Sequence, residues 1–275
     1  MRLATVGYQG RSHAARVEDD HVDLLEAPDL GALLAGTGGV AAARSAPAVA
    51  QVPRGAVATR ALVPRPSKIL CIGQNYLRHI EETGATRPEY PTVFAKYTRA
   101  LIADGDDIIL PAISDRVDWE VELVVVIGRE VRNAGPEEAA AAIAGFSVGN
   151  DVSARDLQGR TSQWLQGKTC EATTPVGPNL TTTDVTGVEP DLAISCAVDG
   201  VVRQSSRTSD LLFKPVDLVA YLSRILTLDP GDLIFTGTPG GVGQGMVPPV
   251  YLHEGQTVTS SIESIGSLVN RCRAA

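Results

Sequence analysis

The sequence has no C-x-x-C pair: its four cysteines, Cys71, Cys170, Cys196 and Cys272, lie far apart. Neither a zinc knot nor a disulfide framework is indicated, and reduced thiols are expected. No basic run occurs, and the formal charge is −8 with a pI near 5.1. That excludes a nucleic-acid polyanion as the default partner, because binding phosphates needs a basic face. Neither the opening MRLATVGYQGRSHAARVEDD nor any later window holds an apolar run of signal-peptide or membrane-spanning length. A cytosolic location with no membrane partner is therefore expected. Lysine is scarce as well: Lys68, Lys96, Lys168 and Lys214 are four of 24 basic residues. Where arginine is the default surface cation, a retained lysine hints at a site that needs a compact ammonium.

With 275 residues, 44% of them hydrophobic, and a mean hydropathy of +0.05, the chain can bury a sizeable core as one large domain or a large domain with an appendage. The first stretch reads as a small N-terminal α/β domain, residues 1–65: short strands in MRLATVGY and HAARVEDDHVDLLE, a helical pair in LGALLAG and VAAARSA, then an Ala/Pro connector. Short β-rich runs dominate the second domain, residues 66–275, interrupted by helical patterns at NYLRHIEETG, PEEAAAAIA and PVDLVAYLSRIL. Pro136 followed by acids suits a helix start, and VDG at 198–200 signals a hairpin. No repeat is visible, and the irregular spacing of strands and helices rules out a βαβ array. The fold class predicted is α+β, dominated by strands.

The stretch DRVDWEVELVVVIGREV, residues 115–131, puts Glu120 and Glu122 at the entrance of an apolar strand, where a period of two points both to one face. A half-solvated strand end is the plain reading of such a pair, since glutamate is rarely buried without a partner. Downstream, residues 149–178 open with Asp151 and continue through a long Gly-, Ser- and Thr-rich stretch that reads as an ordered, functional loop. Taken alone, Asp151 could merely cap a turn. Together, Glu120, Glu122 and Asp151 form an all-oxygen, all-anionic set that is tolerated near a core only around a cation. Hard oxygen donors without His or Cys select Mg²⁺, with Mn²⁺ or Ca²⁺ as alternatives, and disfavour zinc.

In order and spacing, WEVELVVVIG, GNDVSARDLQ, WLQGKT, PVGP, TLDPGDLIFTGTPGGVG and IESIGSLVN resemble the fumarylacetoacetate hydrolase superfamily, and more closely its bacterial acylpyruvase, oxaloacetate decarboxylase and hydroxyhepta-dienedioate isomerase branch. The resemblance runs from about residue 66 to the end, and a small leading domain is also typical. It implies a mixed β-sandwich roll, a homodimer, and one Mg²⁺ or Mn²⁺ held by Glu120, Glu122 and Asp151. It also implies a lid segment carrying the H-x-x-E pair His79 and Glu82, adjacent on one helical face. A carboxylate beside an imidazole raises its pKa and orients it, which suits a base that activates water; an exposed helical pair is the plainer alternative.

Lys168 suits a group that stabilises an enolate or carboxylate oxygen near the metal, an ordinary loop lysine being the plainer alternative; by the same resemblance Arg155, Gln158 and Thr238 contact substrate and Lys96 matches a recurrent site-facing lysine, whereas Asn75 reads as structural, satisfying loop backbone. The sequence departs from the family pattern after Lys168, where Cys170 and Glu171 stand in place of an aromatic residue and Asp. The function expected is a metal-dependent hydrolase that cleaves a C–C bond in a small 2,4-dioxo acid through a stabilised enolate. An oxaloacetate-type decarboxylase, a dienedioate isomerase, and a non-hydrolytic binding or biosynthetic protein are the alternatives.

Overall fold

The apolar run behind the paired glutamates forms the strand Val121–Ile127, every residue of which is buried. A strand apolar on both faces must be covered on both. It lies inside a twelve-stranded sheet, between the antiparallel strands Ile143–Asn150 and Leu233–Phe235. The period of two divides its side chains: Val121, Leu123, Val125 and Ile127 enter one hydrophobic cluster, Val124 and Val126 another. Glu122, and Glu120 just before the strand, continue the even series. The computed structural model describes residues 1–82 and 86–275, without side-chain placement for His79, Glu81 and Glu82.

The odd face packs against a second, five-stranded sheet, whose Ile194, Cys196, Val198, Val258, Ile262 and Leu268 share that cluster. Helix Pro215–Ile225 adds Leu218, Val219 and Leu222, and helix Pro136–Ala142 adds Ala139 and Ala142. Both helices begin at proline, as fixed φ and a missing N–H allow at the first position. Strand Ile69–Gly73 runs parallel to Leu233–Phe235, which makes the large sheet mixed. The result is the strand-dominated α+β fold expected. The hairpin is also present: Val198 pairs with Val201 across Asp199 and Gly200, both at positive φ (51° and 78°).

The N-terminal strands extend the large sheet, because Arg2–Tyr8 pairs with Thr174–Thr182. The helical pair forms as Leu30–Ala35 and Gly39–Ser45. Two expectations need correction. Within the Ala/Pro connector, Ala50–Pro53 is an edge strand on His21–Leu24, since Val52 turns inward to a small cluster with Val22 and Leu24. The stretch 149–178 is only partly loop: strand Ser153–Ala154, helical turns Arg155–Gln158 and Leu165–Lys168, and the start of Thr174–Thr182 lie within it. Its order comes from buried ion pairs and close glycine packing, which leave no hydrophobic period to read. Among the described residues, no helix is long and apolar enough to cross a membrane.

Candidate active site

Sheet register brings the acids together. Val121 pairs with Asn150, so the next residue, Asp151, arrives beside Glu120 and donates its N–H to the Glu120 carbonyl at 2.8 Å. Asn150 fixes this junction, its Oδ1 accepting the Glu120 N–H (2.9 Å) while its Nδ2 donates to Ser260 Oγ (2.9 Å). One carboxylate oxygen from each of Glu120, Glu122 and Asp151 lies within 4.8 Å of the others. All three residues are buried, so the half-solvated strand end is ruled out.

The three acids have unequal partners. Lys168 Nζ bridges Glu120 Oε2 (2.6 Å) and Asp151 Oδ2 (2.7 Å). Asp151 Oδ1 also takes the Lys96 ammonium, whose other contact is the Val152 carbonyl at 3.3 Å. Arg155 places Nη1 on Glu120 Oε1 (2.6 Å) and Nε on Asp118 Oδ2 (2.9 Å). Burial opposes ionisation of Glu120, but Arg155 and Lys168 outweigh it and hold the carboxyl at about 2. Glu122 has no such cation: among the described residues its hydrogen bond comes from the Gly237 N–H, at 2.7 Å. Burial, then Asp151 and Glu120, push its carboxyl well above the ordinary range. A buried acid held this way, beside two more hard oxygen donors, fits a divalent cation, which supplies the charge Glu122 lacks.

Gly237 reaches Glu122 because strand Leu233–Phe235 leads directly to it, and its φ of +102° is the left-handed region that glycine occupies freely. Thr238 follows, donating its hydroxyl to the Val121 carbonyl (2.9 Å) and accepting from Gln204 Nε2 (2.8 Å). Lys168 is brought in by close approach: a Cβ at Gly167 would lie 2.4 Å from Gln158 N and 2.5 Å from the Ala154 carbonyl oxygen. Burial opposes the Lys168 ammonium, yet Asp151 and Glu120 outweigh it and raise the pKa. Lys168 is therefore a charged donor.

A cavity of about 180 Å³ opens here, with Glu120, Glu122, Arg155, Gln158, Lys168 and Thr238 on its wall. Phe94 and Trp164 close another side, edge to face at 5.4 Å, with Lys168 Nζ 5.1 Å from the Phe94 ring centre. Arg155 Nη2 is buried and has no hydrogen-bond partner among the described residues. Gln158 Oε1 accepts from Arg155 Nη1 at 3.0 Å. Thus Glu120, Glu122, Asp151, Lys168, Arg155, Gln158 and Thr238 converge, while the structure places Lys96 against Asp151. Helix Leu77–Glu82 follows the cavity-lining Gly73 and Gln74; the side chains of His79 and Glu82 lie outside the described residues. Glu171 turns away, its side chain 70% exposed and 3.5 Å from Arg99, so the departure after Lys168 leaves the Lys168 contacts in place.

Sequence reasoning missed Asp118, Asn150 and Gln204. Asp118 accepts three backbone N–H groups, from Trp119, Gly243 and Gln244, besides Arg155, and so ties the glycine-rich TPGGVGQGM segment to the site. Its signal was a third acid one strand period before Glu120. Gln204 accepts the Val121 N–H (3.0 Å) from the other sheet, and nothing local marked it.

A model of the fumarylacetoacetate (FAA) hydrolase C-terminal family matches residues 68–273. The oxaloacetate tautomerase Fahd2a, mitochondrial, of Rattus norvegicus is 44% identical over 221 residues, covering 80% of this chain and 71% of the relative. Among solved structures, the 5-carboxymethyl-2-hydroxymuconate delta-isomerase of Mycobacterium smegmatis aligns over 100% of both chains with a TM-score of 0.85 and 33% identity. The fumarylacetoacetate hydrolase of Exiguobacterium antarcticum aligns over 100% of both chains with a TM-score of 0.85 and 31% identity. By its sequence match and its fold, the chain belongs to the fumarylacetoacetate hydrolase family.

Proposed function

We propose that the protein is a divalent-metal-dependent enzyme that moves a proton at the carbon next to the oxo group of a small 2-oxo dicarboxylate, interconverting its keto and enol forms. This departs from the carbon–carbon hydrolase expected from sequence and takes up the isomerase alternative. The observation that carries it is a cavity of only about 180 Å³ lined by Arg155, whose buried Nη2 has no hydrogen-bond partner among the described residues. Pockets for larger ligands run to roughly 300–1,000 Å³, so a four-carbon acid suits this one better than an extended acylpyruvate. A buried guanidinium with a free donor calls for a substrate carboxylate. The 44% identity to an oxaloacetate tautomerase points the same way and makes oxaloacetate the first substrate to test.

Held by Glu120, Glu122 and Asp151, Mg²⁺ or Mn²⁺ would supply Lewis acidity toward the substrate's oxygen atoms. The remaining roles belong to the chain. Arg155 anchors and orients a carboxylate, with Gln158 steadying the guanidinium. Lys168, held as an ammonium, offers an Nζ proton to the oxygen on which negative charge develops. Phe94 and Trp164 exclude water, which strengthens that interaction. His79 with Glu82 is assigned as the base that takes the carbon-bound proton; return of a proton to oxygen gives the enol, and to carbon the keto form.

The test is a set of time courses with Mn²⁺ on oxaloacetate, an acylpyruvate and a dienedioate. Faster keto–enol exchange of oxaloacetate, without loss of carbon dioxide, supports the reading. Cleavage of the acylpyruvate at a higher kcat/KM than that exchange would replace it with hydrolysis.

A further inference from the structure

One fully buried amide stands between the cation site and the helix that carries His79 and Glu82. Asn75 lies between strand Ile69–Gly73 and helix Leu77–Glu82. Its Oδ1 accepts the Phe213 N–H at 2.8 Å. Its Nδ2 donates to the carbonyls of Phe213 (3.0 Å) and Thr236 (2.7 Å), which uses both amide protons. Its backbone carbonyl accepts from Leu212 N at 2.7 Å. Next to it, Tyr76 bridges to Leu211 and the Arg78 N–H reaches Asp210 Oδ2 at 3.2 Å. The first turn of the helix is thereby stitched to segment 210–213.

On its other side the same amide grips the peptide that orients Glu122. Thr236, whose carbonyl Asn75 holds, precedes Gly237, whose N–H is on Glu122 Oε2 at 2.7 Å. Gly237 leaves room for this approach, since a Cβ there would lie 2.8 Å from the Asn75 Cβ. An aspartate of the same shape would set a charge against two carbonyl oxygens, and alanine would leave both carbonyls unsatisfied.

We propose that Asn75 is a positioning residue that holds the Glu122 carboxylate and the base of the helix carrying His79 and Glu82 in one register, so that the cation site and the proton-transfer helix form together. The inference rests on the cation site and not on which 2-oxo acid is turned over, so binding of Mn²⁺ alone can test it.

The experiment is calorimetric titration of metal-stripped protein with Mn²⁺, together with kcat and KM. Removing a group that orients a metal ligand through its hydrogen bonds costs about 10- to 100-fold in affinity, and Asn75→Ala should raise the Mn²⁺ Kd by that factor. The variant should also lower kcat more than it changes KM. Asn270→Ala is the control, because Asn270 is buried and donates to two carbonyls, Ala103 and Asp106 (both 2.8 Å), without any tie to the site. It should lose stability and keep its Mn²⁺ affinity. An unchanged Mn²⁺ Kd in folded Asn75→Ala would overturn the proposal, as would equal losses in the two variants. If Asn75→Ala gives no cooperative unfolding transition, Asn75→Asp is judged by the same outcomes. Failure of both to fold would assign Asn75 to the fold alone and likewise overturn it. None of the outcomes that would overturn the proposal depends on oxaloacetate turnover, so failure of the tautomerase reading would be seen separately.

Discussion

Replacing Arg155 with methionine keeps the length of the buried stem and removes the cation between Asp118 and Glu120. In the folded protein those contacts are 2.9 and 2.6 Å, with the three side chains 11%, 0% and 9% exposed. Breaking such a buried pair costs about 3–5 kcal/mol, because the remaining charge has been desolvated without compensation. Here Asp118 keeps three backbone N–H donors and Glu120 keeps Lys168, which puts the cost near the lower end, about 3 kcal/mol. At roughly 2–4 °C per kcal/mol for a domain of this size class, Tm should fall by about 6–12 °C. Arg155→Lys restores the charge but not the two-pronged geometry and should recover part of that loss.

The same variant tests substrate anchoring. A hydrogen bond to a charged group is worth about 1.5–3 kcal/mol, so Arg155→Met should lower kcat/KM for a 2-oxo dicarboxylate by about 10- to 100-fold. A 2-oxo monocarboxylate of similar size should lose much less. Scanning calorimetry and the ultraviolet absorbance of the enol provide the two assays. A Tm equal to that of wild type would refute the account of the ion-pair network. Equal kinetic losses on the mono- and dicarboxylate would refute the anchoring role.

Other expectations follow from the same geometry. Glu122→Gln should abolish the rise in Tm that saturating Mn²⁺ gives wild type, about 2.7 kcal/mol at a hundredfold excess over Kd, while leaving the metal-free protein at least as stable, since Glu122 is buried without a cation; calorimetry with and without chelator would check both. In metal-free protein Glu120 is depressed from 4.5 to about 2, so its contribution, about 3 kcal/mol, is fully present above pH 4.5 and is lost as pH falls toward 2. Denaturant midpoints of wild type and Glu120→Gln across that window should converge at low pH; parallel profiles would contradict the coupling to Arg155 and Lys168. Glu122 works in the opposite sense, its raised pKa costing metal-free stability as pH climbs above 4.5. Finally, His79→Ala should slow enolisation by the roughly 10²- to 10⁴-fold expected for loss of a base, with Mn²⁺ affinity retained; an unchanged enolisation rate in stopped-flow would remove His79 from that role.

Local chemistry made part of this molecule legible from its residues alone. Alternation in Val121–Ile127 follows from strand geometry, so Glu120 and Glu122 had to share a face, and their oxygen donors called for a hard cation. Pro136 and Pro215 open helices, and Asp199–Gly200 turns a hairpin, because their backbone preferences act over a few residues. Only the tertiary structure decided which distant groups meet these acids. Lys96 reaches Asp151 across 55 positions, Arg155 reaches Asp118 across 37, and Asn75 reaches the Thr236 carbonyl across 161. Such contacts are set by sheet register and by close approaches such as Gly167 against Ala154 and Gln158, neither of which has a local period. For the same reason the contact of Lys96 with Asp151 has no local signal, and Glu122 differs from Glu120 although both are glutamates on one face. Among the described residues, cations pack beside one and not the other, and in a buried, poorly screened site that difference separates a carboxyl held at about 2 from one pushed well up.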